Sequence, residues 1–258
     1  MEKQNPYDEL AEFYDLFNQE APDDVPFYSR FVSSGMRVLE VGIGTGRVAF
    51  PLVKSVHPLG FTGIDFSPAM LGIAREKARM MGMEKCVTFL EMDMRNIHLP
   101  QRYDLVIIPY LGFQFIRTAR DQLRTLRGIA NCLYEGRCCI IHLFHPNPSL
   151  IAVRGWKEEV RYDAIDPVSR RKIYWLTRSK MDRVRQEIAF EVIYRYDRPD
   201  NTSGERRSFQ RMRYTFRWEM EHLAARAGFR VEAVFGNFHG QRLTSTSNDM
   251  IFVLRKEG

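Results

Sequence analysis

The chain contains the stretch Val38-Leu39-Glu40-Val41-Gly42-Ile43-Gly44-Thr45-Gly46-Arg47, a mostly apolar run that leads into three closely spaced glycines. The apolar run predicts a buried strand, and the glycines predict a tight turn before a helix. Glycines let a backbone approach a ligand closely, and a helix N-terminus offers free N–H groups to an anion. Asp65 follows 19 residues after Gly46, where a nucleotide-binding βαβ unit places a carboxylate for the ribose hydroxyls. Together these features predict a ligand that contains a nucleoside.

Short apolar runs alternate with helical patterns around this stretch. The runs predict strands at 37–41, 61–65, 87–91, 103–108 and 138–144. Apolar residues at helical spacing predict helices at 46–55, 68–81 and 118–133, with Ser67 as an N-cap and Gly136 closing the third helix. Strands that alternate with helices of this length favour right-handed βαβ units and a parallel sheet covered on both faces.

The pattern changes after residue 149. Apolar side chains then fall on every second residue, as from Ile188 to Tyr196, which is the period of half-buried antiparallel strands. We therefore expect a small antiparallel lobe at 150–215, inserted into a core formed by 1–149 and 216–258. A helix at 218–227 and strands at 230–235 and 250–255 are expected to complete the core.

Composition limits the class of protein. The 258 residues are 45% hydrophobic and 27% charged, which are globular values. There is no apolar run of about 18 residues that could span a membrane, and no signal-peptide pattern near Met1. The four cysteines form no C-x-x-C pair, so we expect a reducing, cytoplasmic location and no zinc site. The net charge of +6 lies between Leu150 and Thr215, as a solvated face or as a patch for an anionic ligand.

The details of the glycine turn indicate which nucleoside is bound. A dinucleotide site requires G-x-G-x-x-G, but the third glycine position is Arg47 here. Glu40 beside a pyrophosphate would place two negative charges together. A ligand with an amino-acid tail fits better, because Glu40 can face its ammonium while the N–H groups of the turn meet its carboxylate. The chain also lacks the Y-x-x-x-K pair of nicotinamide enzymes and the G-x-x-x-x-G-K-[ST] loop of triphosphate-binding proteins.

These motifs resemble those of the class I S-adenosylmethionine-dependent methyltransferases, over about residues 7–256. The glycine turn resembles the first motif of that family, and the stretches that resemble the next three are 63–71, 91–95 and 103–106. The chain is also similar to a bacterial small-molecule subgroup, through Tyr7-Asp8 and Phe13-Tyr14-Asp15. The resemblance implies a Rossmann-like, doubly wound, mostly parallel sheet with an inserted antiparallel β lobe. It also implies S-adenosyl-L-methionine as the cofactor, and we expect no metal site.

The resemblance further implies roles for individual residues. Gly42, Gly44 and Gly46 would line the methionine part of the cofactor, while Glu40 would orient the turn and the ammonium. The ribose would be held by Asp65. The other cofactor-binding residues would be Phe66 and Met70 on either side of the adenine, Asp93 and Met94 at its amino edge, and Tyr14 over the methionine end.

Methyl transfer from a sulfonium is an in-line displacement in which the leaving group departs neutral. The protein therefore mainly aligns the reactants and keeps water out. Because ligands of open α/β sheets lie beyond the carboxyl ends of the strands, Tyr110 and His145 are candidates, with His145 as the base if one is needed. Tyr14 is a further catalytic candidate. The candidates for substrate binding are Phe113 and Tyr174 as pocket walls, and Arg211 and Arg213 for an acidic substrate.

Three functions remain open from the sequence. The first is a methyltransferase that acts on N, O or C of a small-molecule acceptor. The second is an RNA or other nucleic-acid methyltransferase that uses the basic lobe, but no aromatic RNA-binding signature or basic run supports it. The third is a non-catalytic cofactor-binding protein. We expect no membrane partner, and a homodimer stays open.

Overall fold

A computed structural model describes residues 7–17, 23–146, 151–152, 155–167, 169–197 and 202–258. Its main sheet has seven strands, which are β1 (Arg37–Val41), β2 (Gly60–Asp65), β3 (Val87–Glu91), β4 (Tyr103–Ile108), β5 (Leu133–Phe144), β10 (Phe229–Phe235) and β11 (Asp249–Lys256). Their order across the sheet is β10-β11-β5-β4-β1-β2-β3. The pairs among β1 to β5 are parallel, and β11 runs antiparallel to both β5 and β10. The parallel, doubly wound sheet predicted from the sequence is confirmed.

A separate antiparallel sheet has four strands, which are β6 (Lys157–Ile165), β7 (Lys172–Asp182), β8 (Glu187–Asp197) and β9 (Ser203–Arg213). It confirms the predicted β lobe, while the domain boundaries at 150 and 215 stay a prediction. The described helices are α1 (Ala11–Phe17), α2 (Asp24–Ser29), α3 (Ala49–Val56), α4 (Pro68–Met80), α5 (Ala119–Cys132) and α6 (Arg217–Arg226). Within the described ranges, none of these helices is long and apolar enough to cross a membrane.

Two predicted boundaries were wrong, and both errors involve a glycine. The helix expected from Gly46 begins at Ala49, because the turn continues through Gly46 with a left-handed φ of 84°. Gly136 does not close α5. The helix passes directly into β5 at Leu133, and Gly136, with φ 71°, lies inside that strand where the pairing with β4 shifts register.

Hydrophobic packing covers both faces of the main sheet. One cluster packs α5 and α6 against one face, and another packs α2, α3 and α4 against the opposite face. A third cluster joins the α1 region to the lobe. In it, Leu10, Phe13 and Phe17 of the α1 region pack against Ile173 and Tyr194 of the lobe. Residues that follow β1 and β2 are hydrogen-bonded to the segment that contains α1, so the carboxyl ends of these two strands lie near α1.

Candidate active site

The glycine turn after β1 has the backbone geometry that only glycine adopts readily. Gly42, Gly44 and Gly46 have φ values of 79°, 54° and 84°. A Cβ at Gly46 would lie 2.3 Å from the ring of Phe50, so a side chain there would also collide with α3. The N–H groups of Gly42 and Ile43 donate to the Ile64 carbonyl oxygen, and that of Gly46 donates to the Ile43 carbonyl oxygen. These N–H groups are therefore not free for a ligand, which differs from the expectation drawn from the sequence.

Asp65 is fixed at the end of β2 by this turn. Its Oδ2 accepts a hydrogen bond from the N–H of Gly44 at 2.8 Å, and its Oδ1 accepts one from the N–H of Ser67 at 2.9 Å. Burial raises the pKa of the Asp65 carboxyl, and these backbone donors counteract part of that effect. The carboxylate is therefore held in one orientation beside the turn.

Glu40 is a buried residue whose carboxyl group lacks a hydrogen-bond partner at one oxygen. Its side chain is 1% exposed, and its Oε2 atom has no hydrogen-bond partner among the described residues. Burial raises its pKa well above the usual range, although the nearby Arg47 guanidinium opposes this rise. A buried polar atom without a partner is costly, and a ligand that supplies a cation near Glu40 would remove that cost.

A cavity of about 500 Å³ lies beyond the carboxyl ends of β1 to β4. Nine residues predicted for the site line it, namely Tyr14, Gly42, Gly44, Asp65, Phe66, Met70, Asp93, Met94 and Tyr110. Glu40 and Gly46 are not among its lining residues. No group of three or more potential metal ligands occurs within the described ranges.

Aromatic rings form one wall of this cavity. The ring of Tyr7 makes edge contacts with Tyr14, Phe66 and Phe115, at centroid distances of 6.5, 6.2 and 5.5 Å. Burial raises the pKa of both Tyr7 and Tyr14, so their phenols are neutral at physiological pH. The wall therefore presents ring faces and uncharged hydroxyl groups rather than phenolates.

Tyr110 is held in an unusual backbone conformation at the end of β4. It has a φ of 48°, and Leu111 after it has a φ of 64°, a region that L-residues seldom adopt. The Arg47 guanidinium lies 5.1 Å from the centre of the Tyr110 ring. Arg47 is itself anchored by two hydrogen bonds to the buried Asp24, at 2.6 and 3.1 Å. This ion pair and ring contact secure the ring position.

The segment that carries Tyr7 and Tyr14 is attached to the cofactor-side loops. Asp15 accepts a hydrogen bond from the Thr45 hydroxyl at 2.6 Å and forms an ion pair with Lys77 of α4. Asp8 accepts a hydrogen bond from the Ser67 hydroxyl at 2.6 Å. These contacts hold α1 over the cavity.

Polar residues at another edge of the cavity were not singled out from the sequence. Arg117 donates a hydrogen bond from Nε to Glu187 of the lobe at 2.8 Å, and both residues line the cavity with Thr118 and Asp121. Thr118 caps α5, and the spacing of Thr118 and Asp121 as an S/T-x-x-D pair was the one available signal. Glu187 gave none, because its approach to Arg117 spans 70 residues of chain.

Several predicted residues lie away from the cavity. The Nδ1 atom of His145 is 2.8 Å from the Ser247 carbonyl oxygen, and Phe113 is fully buried in the main core. In the lobe, the Tyr174 ring faces Lys172 and the Arg211 guanidinium lies over Phe209. Arg213 is bonded to Gln122, Gln186 and Glu219. The structure thus groups the predicted cofactor residues but not these catalytic and substrate candidates.

Comparison with known proteins shows which proteins this chain is similar to. Residues 38–136 match the family model described as a methyltransferase domain. The chain is 24% identical to the cypemycin N-terminal methyltransferase of a Streptomyces species, over 97% of this chain and 98% of that protein. It spans about a third to two thirds of the length of three other curated methyltransferases, to which it is 32–45% identical.

Two solved structures share the fold over nearly the whole chain. The CcbJ methyltransferase of Streptomyces caelestis has a TM-score of 0.83 at 22% identity, over 98% of both chains. The sugar N-methyltransferase KedS8 of Streptoalloteichus has a TM-score of 0.73 at 19% identity, over 95% of this chain and 93% of that one. At these identities the likeness is one of fold, and it includes both the main sheet and the lobe.

Proposed function

We propose that this chain, which belongs to the S-adenosyl-L-methionine-dependent methyltransferases, transfers a methyl group to an amine nitrogen of a small-molecule acceptor. The choice of nitrogen among N, O and C is supported by the neutral aromatic wall of the cavity. It is also supported by the names of two relatives, an N-terminal methyltransferase and a sugar N-methyltransferase.

The residues around the glycine turn fit the cofactor. The orphaned Oε2 of Glu40 would be compensated by the ammonium of a methionine moiety, which the glycines of the turn allow to approach closely. Asp65 would accept hydrogen bonds from the ribose hydroxyls. Phe66 and Met70 would flank the adenine, and Asp93 and Met94 would meet its edge. When bound, the cofactor supplies a methyl group activated by a sulfonium.

The aromatic wall of the cavity favours an amine as the methyl acceptor. A neutral amine attacks through its lone pair and needs no base before the C–N bond forms, whereas most alcohols must lose a proton. Burial raises the pKa of Tyr7 and Tyr14, so both phenols stay protonated and do not act as the base. Ring faces stabilise the positive charge that develops on nitrogen, by about 0.5–2 kcal/mol each. The proton then leaves the product ammonium to water.

The wall also aligns the reactants and excludes water. Tyr7 and Tyr14 lie on the segment that Asp8 and Asp15 attach to the loops, and Tyr110 is fixed through Arg47. Rings held in this way give the acceptor a single approach, which is the main requirement of an in-line displacement. None of the relatives reported above is described as acting on nucleic acid, so the basic-lobe alternative gains no support.

A screen of small amines tests this proposal. Purified protein, S-adenosyl-L-methionine and each amine would be monitored for S-adenosylhomocysteine and for the methylated product by mass spectrometry. With an accepted amine, Tyr110→Leu should lower kcat/KM by roughly 3- to 30-fold through loss of a ring face, while Tyr110→Phe should retain most of it. Tyr134→Leu is the matched control, since Tyr134 lies in β5 away from the cavity. Methylation of hydroxyl compounds alone would contradict the amine assignment.

A further inference from the structure

A second large cavity is lined by cations and lies outside the cofactor-binding cavity. This groove, about 640 Å³ in volume, runs between α5 and the 3₁₀ turn Met94–Asn96. Its lining cations are Arg95, Arg120, Arg124 and Arg127, with His98 beside them. The volume is typical of a small-molecule site. We call this feature the arginine groove.

Three of these arginines follow one face of α5. Arg120, Arg124 and Arg127 stand at positions i, i+4 and i+7, and each is exposed. None of the three forms an ion pair or hydrogen bond with a described residue. Like charges at i and i+4 destabilise a helix, and a cation in the first turn opposes the helix dipole. The fold thus tolerates an unfavourable arrangement that an anion bound in the groove would relieve.

The 3₁₀ turn and α5 are held unusually close along the groove. A Cβ at Gly128 would lie 3.1 Å from the Cβ of Ile97, so glycine permits this approach. Two of the described carboxylates adjoin the cations. Asp93 is paired with Arg95, and Asp121 is hydrogen-bonded to the Thr118 hydroxyl. The four arginines therefore keep an excess of positive charge in the groove.

We propose that the arginine groove binds a ligand that carries a phosphate group. Guanidinium groups bind phosphate oxygens through paired N–H donors, and several of them along one wall suit a dianion. Arg95 lines both this groove and the cofactor-binding cavity. The phosphate is either a free anion or a phosphate ester on the acceptor, and the second case rests on the proposed function.

Calorimetric titration of the full chain with inorganic pyrophosphate tests the site without any need for turnover. We expect saturable binding that Arg124→Gln weakens about tenfold or more, the usual effect of losing a charged hydrogen bond. Arg226→Gln is the matched control, because it removes the same charge from an exposed site on α6 that does not line the groove. Circular dichroism would confirm that both variants are folded.

A second titration distinguishes the two sources of phosphate. The probes are 3-aminopropyl phosphate and 3-aminopropanol, added to protein saturated with S-adenosylhomocysteine. Tighter binding of the aminoalkyl phosphate than of pyrophosphate would indicate an ester on the acceptor, and the reverse order would indicate a free anion. The proposal is overturned if pyrophosphate does not bind, or if Arg226→Gln weakens binding as much as Arg124→Gln does. Failure of methyl transfer would leave the pyrophosphate result unchanged, so the two proposals can fail separately.

Discussion

Glu40 illustrates how a single buried residue connects stability to ligand binding. Its Oε2 has no hydrogen-bond partner among the described residues, and Arg47, whose charge lowers its pKa, is already bonded to Asp24. A residue chosen for stability alone would not be an acid here. The cost is understandable if the ionised carboxylate faces an ammonium when the cofactor is bound.

Replacement of Glu40 should therefore stabilise the free protein and impair cofactor binding. Burial raises the folded-state pKa of Glu40 above its unfolded value of 4.5. The contribution of this group to the unfolding free energy is therefore fully present below about pH 4.5, and it is lost as pH rises through the folded pKa. Glu40→Gln, which cannot ionise, should exceed wild type in unfolding free energy by about 1 kcal/mol or more at pH 8, and by less at pH 5. Urea denaturation at both pH values measures this.

The affinity of Glu40→Gln for S-adenosyl-L-methionine should be lower by about tenfold or more, because a charged partner of the ammonium is lost. Glu84→Gln, an exposed residue, provides the control and should change neither property. A Glu40→Gln protein that binds the cofactor normally would remove this carboxylate from the site.

Individual residues differ in how far the sequence reveals them. Asp65 and the glycines were predictable because their spacing along β1 and β2 is local. The left-handed Tyr110 was not, since Arg47 and Asp24, the pair beside its ring, lie far from it in sequence. Substrate-side residues come from several segments that only the fold brings together.

At the scale of elements, α1 joins three parts of the protein. Phe13 and Phe17 pack on Tyr194 of the lobe, while Asp15 bonds to Thr45 in the glycine turn and pairs with Lys77 of α4. The stretch around Tyr14 was predicted only by family resemblance, because a short amphipathic helix carries no signal for what it covers. Its contacts indicate that it closes the cavity.

Release of this helix should weaken cofactor binding. Asp15→Ala removes the bond to Thr45 and the ion pair to Lys77, both partly exposed, so we expect a loss of roughly 3- to 10-fold in affinity by calorimetry. Glu12→Ala is the control on the same helix, because it removes only an exposed ion pair with Arg206 and should change affinity little. Equal effects of the two variants would argue against a closing role for α1.

For the whole molecule, the question is whether the main sheet and the lobe respond to the cofactor as one unit. Besides α1, polar contacts connect them. Arg117 bonds to Glu187 at the start of β8, and Arg213 at the end of β9 bonds to Gln122 of α5. The hydrophobic cluster of α1 on the lobe adds to these links. Such contacts make separate unfolding of the lobe unfavourable.

We therefore expect a single calorimetric unfolding transition that S-adenosylhomocysteine moves as a whole. A ligand at about 100 times its Kd adds about 2.7 kcal/mol to the unfolding free energy, which for a chain of this size raises Tm by roughly 5–10 °C. Asp65→Ala, which should weaken cofactor binding by roughly 1–3 kcal/mol, would lose much of that shift at the same ligand concentration. Two transitions, of which only one moved with ligand, would mean that the lobe unfolds independently and that α1 does not couple it to the cofactor-binding cavity.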